Sequence, residues 1–133
     1  MKPTLAEVTA SLIVTFEGEK LTAYQDSGGV WTIGIGHTKD VQPGQRITHE
    51  QAVQFFIADC APLLALVAGF PTLQGAALAS FGFNCGIARL RDVLAGHDSI
   101  DLPRHTQDRH GTVLPGLVAR RRLEKMLIDL ARP

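Results

Sequence analysis

Apolar residues open the chain at three- and four-residue steps: Leu5, Val8, Leu12 and Phe16 form one stripe, the spacing of a helix with one buried face. Thr4 with Glu7 three residues on makes a capping box, Pro3 lies just outside it, and Gly18 is the expected stop. The spacing predicts a helix from Leu5 to Glu17. The period then shortens. Leu21 to Gln25 is β-compatible, Asp26-Ser27-Gly28-Gly29 is a turn cluster, and Val30 to Ile35 resumes as a strand, so a hairpin follows. Alternation puts Trp31, Ile33 and Ile35 on one face of that strand and Thr32 on the other. Gly36 to Arg46 reads as loop, with Pro43-Gly44 as a turn.

From Thr48 onward the pattern is helical. Thr48 and Gln51 form a second capping box, and Val53, Phe56, Ile57, Cys60, Leu64 and Val67 continue a stripe. Pro62 falls inside it and predicts a kink or break near Cys60. Leu73 to Cys85 is apolar nearly all round, as a helix packed on every side is. Gly86 ends it, and Ile87 to Leu94 is a shorter helix closed by Gly96. His97 to Gly111 is polar and ambiguous, one helical turn or two at most. Leu117, Val118, Met126, Leu127 and Leu130 support a last helix that carries Arg120-Arg121-Arg122, read as a solvated face with at most one arginine turned inward. The predicted architecture is α+β: one hairpin near the N-terminus and a mostly helical body.

Composition narrows the function. At 133 residues and 14.4 kDa the chain holds one core, so 1–133 is expected to be a single domain. Thirteen Lys plus Arg against thirteen Asp plus Glu give zero formal charge, which argues against a nucleic-acid partner. Cys60 and Cys85 are too few for a disulfide scaffold, lack metal-ligand spacing, and read as small buried apolar residues. No apolar run approaches a membrane span, and the N-terminus reads as a helix start rather than a signal peptide. A soluble protein of a reducing compartment, without membrane insertion, is the expectation.

Two acids carry the candidate chemistry. Glu17, in the last turn of the first helix, faces the negative end of the macrodipole, which disfavours its charged form. A general acid near neutral pH needs that tendency. Asp26, among small turn residues, stays solvated and ionised. Contrasting environments separate an acid from a base or nucleophile. Thr32 offers a hydroxyl able to hold a water beside Asp26. Each residue also has a plain reading, as an exposed glutamate, a turn aspartate and a strand threonine. Other chemistries fit poorly. Gly34-Ile35-Gly36 lacks the third glycine of a dinucleotide loop, the five histidines show no helical metal spacing, and no serine sits in a nucleophile elbow.

The string Glu17 to Thr38, EGEKLTAYQDSGGVWTIGIGHT, resembles the catalytic hairpin of phage-type lysozymes, the endolysins of glycoside hydrolase family 24. That signature is Glu, eight residues, Asp, five residues, Thr, ending in Thr-Ile-Gly-x-Gly-His; Glu17, Asp26, Thr32, Ile33, Gly34, Gly36 and His37 match it position by position. Ile47 to Ala52 resembles the start of the family's lobe-linking helix, and Ser80 to Gly86 its Phe-Asn-x-Gly helix. Leu114-Pro115-Gly116-Leu117 with Arg120, Arg121 and Glu124 resembles its Gly-Leu-x-x-Arg-Arg-x-x-Glu segment.

The resemblance implies a lysozyme-like fold, with a small N-terminal β-hairpin lobe and a mostly helical C-terminal lobe around a cleft. It implies hydrolysis of the β-1,4 bond between N-acetylmuramic acid and N-acetylglucosamine in bacterial peptidoglycan, for cell lysis, with inversion and without cofactor or metal. Glu17 is then the acid, and Asp26 with Thr32 seats the water. Tyr24, Gly36 and Thr38 contact substrate, and Arg120 or Arg121 pairs with Glu17. His37 is assigned to holding the end of the hairpin. By the same resemblance the protein is a monomer that stays in the host cytoplasm until a holin gives it access to the periplasm and wall. A lytic transglycosylase, an inactive wall-binding module and a nucleic-acid role for the arginine run are the competing readings. The chain departs from the family after Gly86, where Arg89-Leu90-Arg91-Asp92-Val93-Leu94 replaces a Ser-Thr-Leu-Leu helix and an Asn-rich turn, and at His105, where a tryptophan is common. A shallower distal cleft wall follows.

Overall fold

The computed structural model describes residues 2–130. Helix α1 runs Leu5–Glu17, with the Thr4 side chain accepting from the Glu7 amide and Gly18 closing the end. Strands β1 (Lys20–Gln25) and β2 (Trp31–Gly34) pair antiparallel, with Tyr24 opposite Thr32 and Gln25 opposite Trp31. Helices α2 (His49–Val67), α3 (Thr72–Cys85) and α4 (Ile87–Leu94) follow, then a 3-10 turn at Pro103–Thr106 and helix α5 (Pro115–Leu130).

The hairpin lobe is wider than its two strands. The Ala23 amide donates to the Gln45 carbonyl and the Ile47 amide to the Leu21 carbonyl, both at 2.9 Å. The stretch read as loop therefore adds an edge to β1, a long-range pairing that no local pattern reveals. Thr32 is as buried as Ile33, because β2 is covered on both faces rather than on the Trp31–Ile33–Ile35 side alone.

Helix α3 forms the axis of the helical lobe, packed against α1, α2, α4 and α5. Gly75 through Gly82 are all buried. Around it lie Leu63, Val67, Leu90, Ile100 and Ile128, while Ile13, Ile35, Phe56 and Cys60 form a second cluster where the lobes join. A β-carbon on Gly82 would stand 2.7 Å from Leu90 and 2.8 Å from Leu63, so a side-chain-free position lets α2 and α4 close on α3.

Several expectations change. Helix α2 continues through Pro62 without a break. Ala58 and Pro62 lie on its exposed side, where water satisfies the carbonyl that the proline leaves free. Its buried face is Ala52, Phe56, Cys60, Leu63 and Val67; Leu63 joins the core, the partly buried Leu64 packs against both clusters, and Ile57 is 62% exposed. By length and composition α2 is apolar enough to cross a membrane, contrary to the expectation that no run would be. Its inward residues are instead committed to both clusters. On α5, Met126 and Leu130 are more than half exposed, and Ile128 is the apolar residue that is buried. Cys60 is buried as expected, and burial with the neighbouring Asp59 charge pushes its thiol up to about 12. Cys85 is only half-buried.

The polar segment after α4 is organised by one acid. The buried Asp98 carboxylate accepts from His105 Nε2 at 3.0 Å and meets Arg104 Nη2 at 2.8 Å, and the His105 ring packs edge-on against Phe81 with centroids 4.9 Å apart. Desolvation raises the Asp98 carboxyl, but hydrogen bonds from His105, the Ser99 amide and Arg104 outweigh it and hold the group below its ordinary 3.8. Stability from a depressed acid is complete above the ordinary value and is lost as pH falls through the folded one. Asp98→Asn is therefore expected to cost about 1–3 kcal/mol at neutral pH. It should also flatten the loss of stability below pH 3.8, measured as urea midpoints across an acid series.

Candidate active site

Helix α1 delivers Glu17 to the junction of the lobes, its side chain 21% exposed and its Oε2 2.5 Å from Arg120 Nη1. Of the two arginines expected to partner it, Arg120 does so. Arg120 is 3% exposed and is held by α3: its Nε donates to Ser80 Oγ at 3.2 Å and its Nη2 to the Ser80 carbonyl at 3.1 Å. Ser80 Oγ in turn donates to Glu124 Oε2 at 2.5 Å. Arg121 Nη2 donates to that same oxygen at 3.1 Å, and Arg121 Nη1 lies 2.7 Å from Cys85 Sγ. Arg121 Nε and Glu124 Oε1 stand 2.7 Å apart as an ion pair, without the alignment of a hydrogen bond.

The reading of the arginine run as a solvated face is thus corrected: Arg120 and Arg121 are both buried, and Arg122 alone is exposed. Glu124 supplies counter-charge one turn along the helix, and Glu17 supplies it from the other lobe. Two guanidiniums face two carboxylates, the balance that makes burying charge tolerable. Burial lifts the Glu124 carboxyl above its ordinary range, with Arg121, Ser80 and Arg120 opposing.

Asp26 sits in the hairpin turn, and that turn is not loose. Its Oδ1 accepts from the Gly28 amide at 2.8 Å and the Val30 amide at 2.9 Å. One oxygen fixes the turn; the second is left for another partner. Thr32, 4% exposed, donates its hydroxyl proton to the Val30 carbonyl at 2.9 Å, so the oxygen faces any ligand as an acceptor. The Tyr24 phenol is raised by burial, then by the Glu17 and Asp26 charges, which places the ring within the field of both acids.

Glu17, Asp26 and Thr32, together with Tyr24, Gly36 and Thr38, line one open cavity of about 400 Å³. Its opposite wall is the end of α3, Phe83, Asn84, Cys85 and Gly86. None of these four was singled out as a contact residue, although the Phe-Asn-x-Gly string that marks that helix end was legible. A larger cavity of about 640 Å³ lies along α5 and holds none of the hairpin residues. His37 is buried, its Nδ1 2.7 Å from Asp59 Oδ2 and its ring stacked on Phe55 at 4.3 Å, a tie between hairpin and α2.

Gly36 has φ +67°, and a β-carbon there would meet Phe83 Cε1 at 2.9 Å, Glu17 Oε1 at 3.1 Å and Glu17 Cδ at 3.2 Å. It backs the Glu17 carboxyl directly.

A buried ion pair holding one acid at a lobe junction, with a second acid on a hairpin across an open cleft, defines a lysozyme-type glycoside hydrolase. The phage lysozyme family model matches residues 14–124. The endolysin of Acyrthosiphon pisum secondary endosymbiont phage 1 is 33% identical, covering 96% of this chain and 99% of that protein. Among solved structures, an endolysin from Escherichia coli O157:H7 phage FAHEc1 is similar at TM-score 0.72 and 29% identity, covering 100% of this chain and 98% of that one. The muramidase domain of SpmX from Asticaccaulis excentricus is similar at TM-score 0.71 and 30% identity, covering 96% and 98%. The chain belongs to the phage lysozyme family.

Two substitutions test the construction of the site. Gly36→Ala is expected to cost about 1–2 kcal/mol for the left-handed backbone and to lower activity further by displacing Glu17, read as a kcat loss at temperatures where the variant is fully folded. Glu124→Gln leaves two buried guanidiniums with one carboxylate and is expected to cost about 3–5 kcal/mol. Urea denaturation at neutral pH reads that loss.

Proposed function

We propose that this chain cleaves peptidoglycan strands at the β-1,4 bond between N-acetylmuramic acid and N-acetylglucosamine by a single displacement with inversion. Glu17 protonates the leaving oxygen. A water held by Thr32 and Asp26 attacks the anomeric carbon from the opposite face and gives its proton to Asp26.

The observation that carries this reading is the division of hydrogen-bonding capacity around the cleft. The Thr32 proton is engaged with Val30, and one Asp26 oxygen is engaged with the turn. A water between them therefore donates both of its protons, one to the hydroxyl oxygen and one to the free carboxylate oxygen. Its lone pair is turned toward the sugar. A nucleophilic Asp26 would need no such hydroxyl. Inversion requires room for that water, about 6.5–9.5 Å between carboxyl groups rather than about 5–5.5 Å. Once Glu17 has lost its proton, Arg120 neutralises the carboxylate that remains. Tyr24, Gly36 and Thr38 line the same cavity, which supports contact with the sugar that carries the reacting carbon. The same likeness to endolysins supports action as a monomer, with the protein held in the host cytoplasm until a holin opens its route to the wall.

Proton transfer by a positioned acid contributes about 10²–10⁴ in rate, so Glu17→Gln should slow clearing of wall suspensions by that factor. Proton NMR of the first products should show the α-anomer. A β-anomer would mean retention, anhydro-muramic ends would mean a transglycosylase, and unchanged clearing by Glu17→Gln would mean that the acid assignment is wrong.

A further inference from the structure

Helix α3 buries the run from Gly75 to Gly82, and Ser80 is the one polar side chain in it. A serine inside a helix usually turns its hydroxyl to water or back to the carbonyl one turn earlier. Ser80 is fully buried and does neither. Its hydroxyl gives its proton to Glu124 Oε2 at 2.5 Å and accepts from Arg120 Nε at 3.2 Å. Its carbonyl accepts from Arg120 Nη2 at 3.1 Å. One residue thus clasps the Nε–Nη2 edge of the guanidinium, and Nη1 meets Glu17 Oε2 at 2.5 Å.

Arg120 has a second carboxylate within reach. Glu124 lies one turn on in α5, and its Oε2 stands 3.4 Å from Arg120 Nε, an ion pair whose hydrogen bond goes to Ser80 instead. A pair at this spacing needs only its own helix, and the side edge of a guanidinium fits a carboxylate in two parallel bonds. Glu124 is therefore the local competitor of Glu17. It does not take that edge because Ser80 occupies it. Its Oε2 is also filled already, by the Ser80 proton and by Arg121 Nη2 at 3.1 Å.

We propose that Ser80 is a positioning residue for the reaction: its hydroxyl divides Arg120 between the two carboxylates and keeps Nη1 on Glu17. In the reading above, on which this inference rests, Glu17 loses its proton and Arg120 neutralises the carboxylate that remains. That contact is stronger in the transition state than before it, so it governs kcat rather than KM. Without the hydroxyl, Arg120 Nε loses its acceptor and Glu124 Oε2 loses a donor together. The two groups close the 3.4 Å between them, the guanidinium turns about its stem, and Nη1 is drawn off Glu17.

The test measures kcat and KM of the full chain on soluble peptidoglycan strands for the unmodified protein, Ser80→Ala and Ser80→Ala/Glu124→Gln. Each is assayed at a temperature where it is fully folded. Ser80→Ala should lower kcat about tenfold, the worth of one charge-assisted contact, with KM unchanged. The double variant removes the competing charge as well, so Arg120 returns to Glu17 and kcat should rise above that of Ser80→Ala. A purely structural role predicts the opposite order, because the second substitution damages the same buried network. A crystal structure of Ser80→Ala needs neither the double variant nor turnover. In it Arg120 Nε should lie about 2.7–2.9 Å from Glu124 Oε2, with Nη1 beyond hydrogen-bond reach of Glu17. Arg120 still bonded to Glu17 in that structure overturns the proposal, as does an unchanged kcat or a folded double variant no faster than the single one. Failure of the unmodified protein to cleave the strands would instead defeat the muramidase reading, and the position of Arg120 in Ser80→Ala would still decide between its two acids.

Discussion

Arg120 is the residue on which the two lobes agree. It rises from α5, is gripped by Ser80 on α3, and meets Glu17 at the end of α1. A buried guanidinium without carboxylates would be strongly unfavourable, so α1, α3 and α5 must arrive together for any of them to be stable in this arrangement. Phe16 adds to this, since the Arg120 guanidinium carbon lies 5.0 Å from its ring centroid, near enough for cation–π attraction. The acid proposed to donate the proton, Glu17, is thus a structural counter-ion as well. Arg120 stands beside that carboxyl as a fixed positive charge.

The hairpin is built on the opposite logic. Its acid is held by backbone amides instead of a charge, and its turn is short enough that one carboxyl oxygen suffices to organise it. Between the two acids lie Thr32 and Gly36, one with its proton already engaged and one with no side chain at all. The cleft is therefore shaped as much by what is withheld as by what is supplied. His37, Asp59 and Phe55 secure the far end of the hairpin to α2, which keeps Gly36 against Glu17.

The helical lobe beyond Gly86 is organised around a buried polar group. His105 packs edge-on against Phe81 and shares the Asp98 carboxylate with Arg104. That local chemistry makes this end of the helical lobe polar.

The sequence by itself determined the elements and the string of candidate catalytic residues. Caps, periodicity and turn residues marked α1, the hairpin, α3 and α4 within a residue or two, because those signals act between neighbours along the chain. Glu17, Asp26 and Thr32 were legible because one short segment carries all three at a set spacing. Other features escaped, each for a reason of the same kind. Pro62 was tolerated because its side of α2 faces water, Arg46 was drawn to β1 across the chain, and Arg120 and Arg121 were buried although a hydropathy pattern marks both as surface. Whether a charged residue lies inside depends on counter-charges that arrive from distant elements. Only the tertiary structure brings Glu17 to Arg120.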